Sequence, residues 1–189
     1  MRLVIAITGA SGVVYGKRLL EVLRTKKVET HLIISQAGER IIEYELGVAK
    51  TEIEKLADYS YGEDDLSAPI ASGSFSTDGM VIIPCSTKTL AGIAHGYSEN
   101  LILRAAEVAL KERRKLILVP REAPFNATHL RNMLDLAVQG VIIIPAAPAF
   151  YHKPQNIDDL IDFIVGKVLD LLGISHKLVK KWPLDSKII

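Results

Sequence analysis

Cysteine is almost missing from this chain of 189 residues: Cys85 stands alone. No intrachain disulfide is therefore possible, and a reducing, cytoplasmic setting is expected. No apolar run approaches the ~18 residues that a membrane-spanning helix needs, so no membrane association is expected. The apolar N-terminus is too short for a signal peptide and ends in a glycine loop, which reads instead as a buried first strand. Charge of one sign is missing too. The formal net charge is +1 and no basic stripe carries interleaved aromatics, so nucleic acid is not an expected partner. The five histidines show neither HExxH nor His-x3-His spacing, and no metal site is expected. Glycine loops are present, but Gly9-Ala10-Ser11-Gly12 is not the dinucleotide fingerprint, and no Walker Lys-Ser/Thr follows it.

What is present is globular. Hydrophobic residues make up 49% and charged residues 24%, which excludes a disordered chain. The length suits one domain, 1–189, with a tail over 174–189 that packs on itself or on a neighbouring subunit. Short apolar runs at 3–8, 30–34, 80–83, 116–119 and 141–144 alternate with segments of helical period. Such runs, apolar without alternation, are what strands covered on both faces show. The expected fold is α/β: a flavodoxin-like or Rossmann-like doubly wound parallel sheet in three α/β/α layers. A last helix is expected from about Ile157, behind Asn156 as cap, to Leu172, with Gly173 as its stop. The stretch 64–77, rich in small residues and without period, reads as a long loop before the third of these strands.

Two of the expected strands end in small-residue loops that open helices: Thr8-Gly9-Ala10-Ser11-Gly12 and Pro84-Cys85-Ser86-Thr87-Lys88-Thr89. In flavodoxin-like order these strands are neighbours at the topological switch point, where ligands bind beyond the carboxyl ends. Helix N-termini there offer unpaired N–H groups to a phosphate. The same residues also suit ordinary tight turns. Ser35, on the same edge, suits either a helix cap or a ligand contact. Lys111, in Lys111-Glu112-Arg113-Arg114, suits a solvated helix end, with Arg113 and Arg114 as surface residues. Cys85, after an apolar strand and without a histidine to pair with, reads as a small buried hydrophobe.

Several blocks in order carry a resemblance. Thr8-Gly9-Ala10-Ser11-Gly12 with Tyr15-Gly16, Pro84-Cys85-Ser86-Thr87, Ala109-Leu110-Lys111-Glu112-Arg113-Arg114, Val119-Pro120-Arg121-Glu122-Ala123-Pro124-Phe125 and Pro145-Ala146-Ala147-Pro148-Ala149-Phe150-Tyr151 resemble the UbiX-type flavin prenyltransferases. The resemblance runs from about residue 3 to Trp182. It implies transfer of a dimethylallyl group from dimethylallyl phosphate to N5 and C6 of reduced FMN, giving the cofactor of a separate UbiD-type decarboxylase. It also implies a homo-oligomer, typically a dodecamer. By the same resemblance, Gly9, Ala10, Ser11, Ser35, Ser86, Thr87, Lys88, Thr89 and Arg121 would contact FMN. Lys111, Arg121, Glu122, Tyr151 and Lys167 would surround the prenyl phosphate, with Ser11, Lys111, Glu122 and Tyr151 acting in catalysis.

The chemistry is coherent. Cleaving an allylic C–O bond demands fixed positive charge and donors for the departing phosphate, and a proton for it as it leaves. Lys111 and Arg121 suit the first task, Glu122 a proton relay and the Tyr151 hydroxyl a phosphate oxygen. The one acidic cluster, Glu63-Asp64-Asp65, lacks DDxxD spacing, so a monophosphate handled without metal fits better than a metal-bound diphosphate. Two positions depart from the family: Lys167 stands where Arg is usual, and Leu66 where some relatives have an aromatic residue. Two other functions compete. A flavin-dependent cysteine decarboxylase needs a PxMNxxMW-like clamp, for which Asn132-Met133 lacks the context. A non-catalytic FMN-binding accessory protein has no use for Lys111, Glu122 and Tyr151 together.

Overall fold

The computed structural model describes residues 1–179, so the expected packing of Trp182, Pro183, Ile188 and Ile189 lies outside the described residues. The chain divides into two compact units, Met1–Ala146 and Ala147–Ile189. In the first, β1 (Arg2–Ile7), β2 (Glu29–Ile34), β3 (Tyr59–Tyr61), β4 (Gly79–Cys85), β5 (Lys115–Pro120) and β6 (Ile142–Ile143) form one parallel sheet in the order 3-2-1-4-5-6. Between them lie α1 (Val13–Thr25), α2 (Gln36–Leu46), α3 (Lys50–Glu54), α4 (Thr87–Ala94), α5 (Leu101–Lys111) and α6 (Ala127–Val138).

The period-2 alternation of the strands sends their side chains to two apolar layers. Val4 and Ala6 of β1, Met80 and Ile82 of β4 and Leu116 and Leu118 of β5 share one cluster with Leu101, Ala105 and Ala109 of α5 and Leu90 of α4. Ile7, on the opposite face of β1, meets α1 at Gly16. Leu19, Leu20 and Leu23 of α1 are fully buried. Each such leucine contributes about 1.5–3 kcal/mol by leaving water. The result is the three-layer α/β/α sandwich expected from the sequence.

One strand was not expected. Tyr59-Ser60-Tyr61 adds β3 beside β2 and turns the anticipated five-strand order into the Rossmann order. It is short, lies at the sheet edge and carries mostly exposed side chains, so it has none of the continuous hydrophobicity that marks its neighbours. The switch point is unaffected, because β1 and β4 are still neighbours.

The stretch 64–77 is a loop, but a pinned one. It includes a 3-10 turn, Pro69–Ala71, and packs along α5. Arg104 Nε donates to the Ala71 carbonyl at 3.0 Å. The Arg114 guanidinium donates to the carbonyls of Gly73 and Phe75 at 2.6 and 2.8 Å. Arg114 is therefore not the plain surface residue expected: it is half-buried and clamps this loop to the end of α5.

In the second unit, α7 (Ile157–Leu172) has the expected bounds. Asn156 accepts from the Asp159 amide at 2.9 Å, the Asp159 carboxylate reaches back to the Asn156 amide, and Gly173 closes the helix at φ 74°.

The close approach of α1 to the sheet gives a first prediction. A Cβ on Gly16 would lie 2.6 Å from the carbonyl oxygen of Ile83, a backbone atom that cannot rotate away. Gly16→Ala is expected to cost about 1–3 kcal/mol through overpacking. Urea unfolding reads it as a lower midpoint at unchanged slope; an unchanged midpoint would show that α1 sits further from β4.

Candidate functional site

The carboxyl ends of β1 and β4 are tied by a buried hydroxyl. Thr8 Oγ1 donates to the Pro84 carbonyl at 2.8 Å and accepts from the Ser86 amide at 2.8 Å. The Thr8 amide reaches the same carbonyl at 3.2 Å. The loops Thr8–Gly12 and Pro84–Ser86 are thereby held side by side, as the sequence anticipated. Gly9 allows a third element to join them, because a Cβ there would collide with Ala37 in the first turn of α2. Gly12, at φ 99°, turns the chain into α1.

Arg121 closes the group. It follows β5, and its Nε donates 3.2 Å to the Ser11 carbonyl while its amide donates to Cys85 at 3.4 Å. No carboxylate pairs with Arg121 among the described residues. Arg121 thus ties the two loops, its guanidinium to one and its amide to the other, and leaves the remaining guanidinium donors for a ligand. Glu122, next to it, accepts from the Ala123 amide at 3.0 Å instead of pairing with Arg121.

Three helices start directly from strands on this edge, and their N-termini differ. The Gly12 and Val13 amides of α1 donate to the Glu45 carboxylate at 2.9 and 3.3 Å. The Gln36 amide of α2 donates to Glu63 at 2.8 Å, and α2 also carries Glu39 in its first turn. Only α4 has a neutral end. Ser86 caps it through the Thr89 amide at 3.2 Å, no acid lies in its first turn, and Lys88 stands there exposed. Helix N-termini attract anions through unpaired amides and dipole. With two of the three filled by carboxylates, Ser86, Thr87, Lys88 and Thr89 form the place on this edge where a phosphate meets the least negative charge. Ser35 is a cap: it accepts from the Gly38 amide at 3.0 Å, and its hydroxyl hydrogen remains to be donated.

The structure thus brings together Gly9, Ala10, Ser11, Ser35, Ser86, Thr87, Lys88, Thr89, Arg121 and Glu122 on one edge. It does not bring Lys111 there. Lys111 ends α5 four residues before β5 begins, at the amino-terminal edge, where its ammonium pairs with Glu112 and holds that carboxyl below its usual range. The length of β5 alone separates it from Arg121 by roughly 15–20 Å. Tyr151 and Lys167 lie in the second unit and share a neighbour. The Tyr151 ring meets Phe163 edge-on at 5.8 Å, and the Lys167 ammonium lies 5.7 Å from the centre of the same ring.

Sequence reading missed Thr8, Glu45 and Glu63. Thr8 carried a faint signal, a hydroxyl closing an apolar strand just before a glycine. Glu45 and Glu63 carried none, since their partners lie 33 and 27 residues away. Among the described residues, no three His, Cys, Asp or Glu side chains converge as metal ligands would. No helix there is long and apolar enough to cross a membrane.

A cradle of this kind at the switch point suits a flavin mononucleotide, and comparison with known proteins supplies the lineage. The chain matches the Flavoprotein family over residues 1–169. It is 55% identical over 182 residues to flavin prenyltransferase UbiX of Methanocaldococcus jannaschii, covering 96% of this chain and 98% of that one. The chain belongs to the UbiX-type flavin prenyltransferase family. Two solved members of similar fold are AnUbiX, in complex with FMN and dimethylallyl pyrophosphate, and a dodecameric FMN-dependent UbiX-like decarboxylase from Escherichia coli. Each is 47% identical with a TM-score of 0.95; they cover 96% and 97% of this chain, and 97% and 100% of their own.

Cys85 gives the prediction here. Burial pushes its thiol up to about 12. The unfolded thiol ionises near 8.5, so burying the neutral form favours the fold below that pH, and the advantage is lost as pH rises towards 12. At pH 8 the native chain is expected to resist iodoacetamide for hours, while the urea-unfolded chain is labelled within minutes. Rapid native labelling would overturn the burial.

Proposed function

We propose that this protein is a flavin prenyltransferase. It joins the dimethylallyl group of dimethylallyl phosphate to N5 and C6 of reduced FMN and releases phosphate, and a UbiD-type decarboxylase uses the product. The observation that carries this reading is the carboxylate-free N-terminus of α4 beside Arg121, in a chain 55% identical to a flavin prenyltransferase. Bound there, reduced flavin supplies the nucleophilic nitrogen and ring carbon.

Each residue then has a task. Ser86, Thr87, Lys88 and Thr89 hold the FMN phosphate. Gly9 and Ala10 let backbone approach the ring system. Ser35 donates its hydroxyl hydrogen. Ser11, whose carbonyl is fixed by Arg121, stands on the exposed side of its loop, where its hydroxyl serves proton movement at N5. Arg121 holds the departing phosphate, Glu122 carries a proton to it, and Tyr151 and Lys167 bind its oxygens. A lysine at 167 keeps the charge of the usual arginine and loses its fork, so this contact is the weaker one.

Lys111 has a different requirement. At the amino-terminal edge it cannot serve the cradle of its own chain, so its share in catalysis needs a second copy. We therefore read the working form as a homo-oligomer, as the E. coli relative is.

Two experiments test this. Under anaerobic conditions, reduced FMN and dimethylallyl phosphate are mixed with the protein and the released flavin is weighed by mass spectrometry. A gain of one C5H8 unit is expected; unmodified flavin from protein that binds both ligands would leave a passive FMN-binding protein. Repeating it with the pyrophosphate decides between donors. In the second, Lys111→Ala and Arg121→Ala chains, each inactive alone, are unfolded together and refolded. Partial recovery of turnover is expected, since some sites regain both side chains from different copies; no recovery would remove Lys111 from the site.

A further inference from the structure

Glu63 belongs to the acidic cluster that the function leaves unused, yet it joins three elements on the flavin edge. One carboxylate oxygen accepts from the Gln36 amide, the first of α2, at 2.8 Å. The other accepts from Asn100 Nδ2 at 3.4 Å. Asn100 is the N-cap of α5, its Oδ1 accepting from the Leu103 amide at 3.0 Å. The Glu63 carbonyl accepts from the Leu101 amide at 2.7 Å. Glu63 itself follows β3, level in the sheet with Ser35 after β2.

The Gln36 amide belongs to the peptide group that leaves Ser35. Fixing that amide fixes the peptide plane, and with Gly38 held on the Ser35 oxygen it fixes the direction left for the Ser35 hydroxyl hydrogen. We propose that Glu63 is a positioning residue: its carboxylate bridges the starts of α2 and α5 and so aims the Ser35 hydroxyl at the flavin. The proposal rests on the reading of Ser35 as an FMN contact. In this role Glu63 acts through Ser35 alone.

A residue that works through another must not add to it. Glu63→Ala is expected to weaken FMN binding about fivefold, as the loss of one hydrogen bond does. Glu63→Gln keeps an amide oxygen for Gln36 and is expected to restore binding to within twofold. Ser35→Ala is expected to weaken binding to a similar degree, and the Ser35→Ala/Glu63→Ala double variant no further than either alone. FMN dissociation constants by fluorescence quenching, with thermal midpoints of every variant, supply the data. Additive losses, failure of Glu63→Gln to restore binding, or a loss that tracks a fallen midpoint would overturn the proposal and leave Glu63 a structural brace. Failure of the wild-type chain to bind FMN would overturn the functional reading itself.

Discussion

The site depends on one hydroxyl. Thr8 follows β1, is buried, and bonds both the carbonyl of Pro84 and the amide of Ser86. Two parallel strands diverge beyond their last ladder bond, because each chain must rise into its own helix. A side chain that both donates and accepts there holds the two loops at one spacing. Each bond contributes only about 0.5–1.5 kcal/mol net, but leaving the Ser86 amide unpaired would cost more. The position of α4, and hence of any phosphate at its start, follows from Thr8.

Electrostatics then chooses among equivalent places. A doubly wound sheet puts several helix N-termini on one edge, and the macrodipole argument alone would let an anion bind at any of them. Glu45 fills the start of α1 and Glu63 that of α2, both from elsewhere in the chain. Ser86 caps α4 with a neutral hydroxyl and Lys88 adds positive charge. The same carboxylates that satisfy orphan amides also withdraw two sites from competition. On the proposed reading, the contacts that cap the helices also select where the phosphate binds.

What could be read from the sequence follows from how each feature is encoded. The central strands were legible because burial on both faces leaves continuous apolar runs, as in Leu3-Val4-Ile5-Ala6-Ile7. Tyr59-Ser60-Tyr61 was not, because an edge strand of three residues gains its identity from pairing with His31-Leu32-Ile33 and not from its own pattern. The loops Gly9–Gly12 and Ser86–Thr89 were legible because close backbone approach demands small residues in sequence. Glu45, Glu63 and the Arg114 clamp were opaque, since nothing local distinguishes a carboxylate or guanidinium that reaches a partner tens of residues away. Chain direction hid the place of Lys111: strands and helices alternate in direction, so the block that ends α5 falls at the opposite edge from the blocks that follow β1, β4 and β5.

That alternation bears on why Lys111 belongs to two accounts at once. A cation at a helix C-terminus is favoured by the dipole whether or not it has a further use, worth about 0.3–1 kcal/mol on a surface. Lys111 satisfies that rule at the end of α5, and Glu112 fixes its ammonium at the amino-terminal edge. Gly73 makes room for the pair, since a Cβ there would overlap the Glu112 carboxylate. Arg114 holds the Gly73 carbonyl and so keeps the loop against the pair. The lysine is thus held by its partner and exposed at the edge opposite the cradle. A surface lysine needing only solubility gains nothing from such fixing, because ordering a long side chain costs entropy. On the reading proposed above, in which a second copy presents a phosphate to it, that cost has a return.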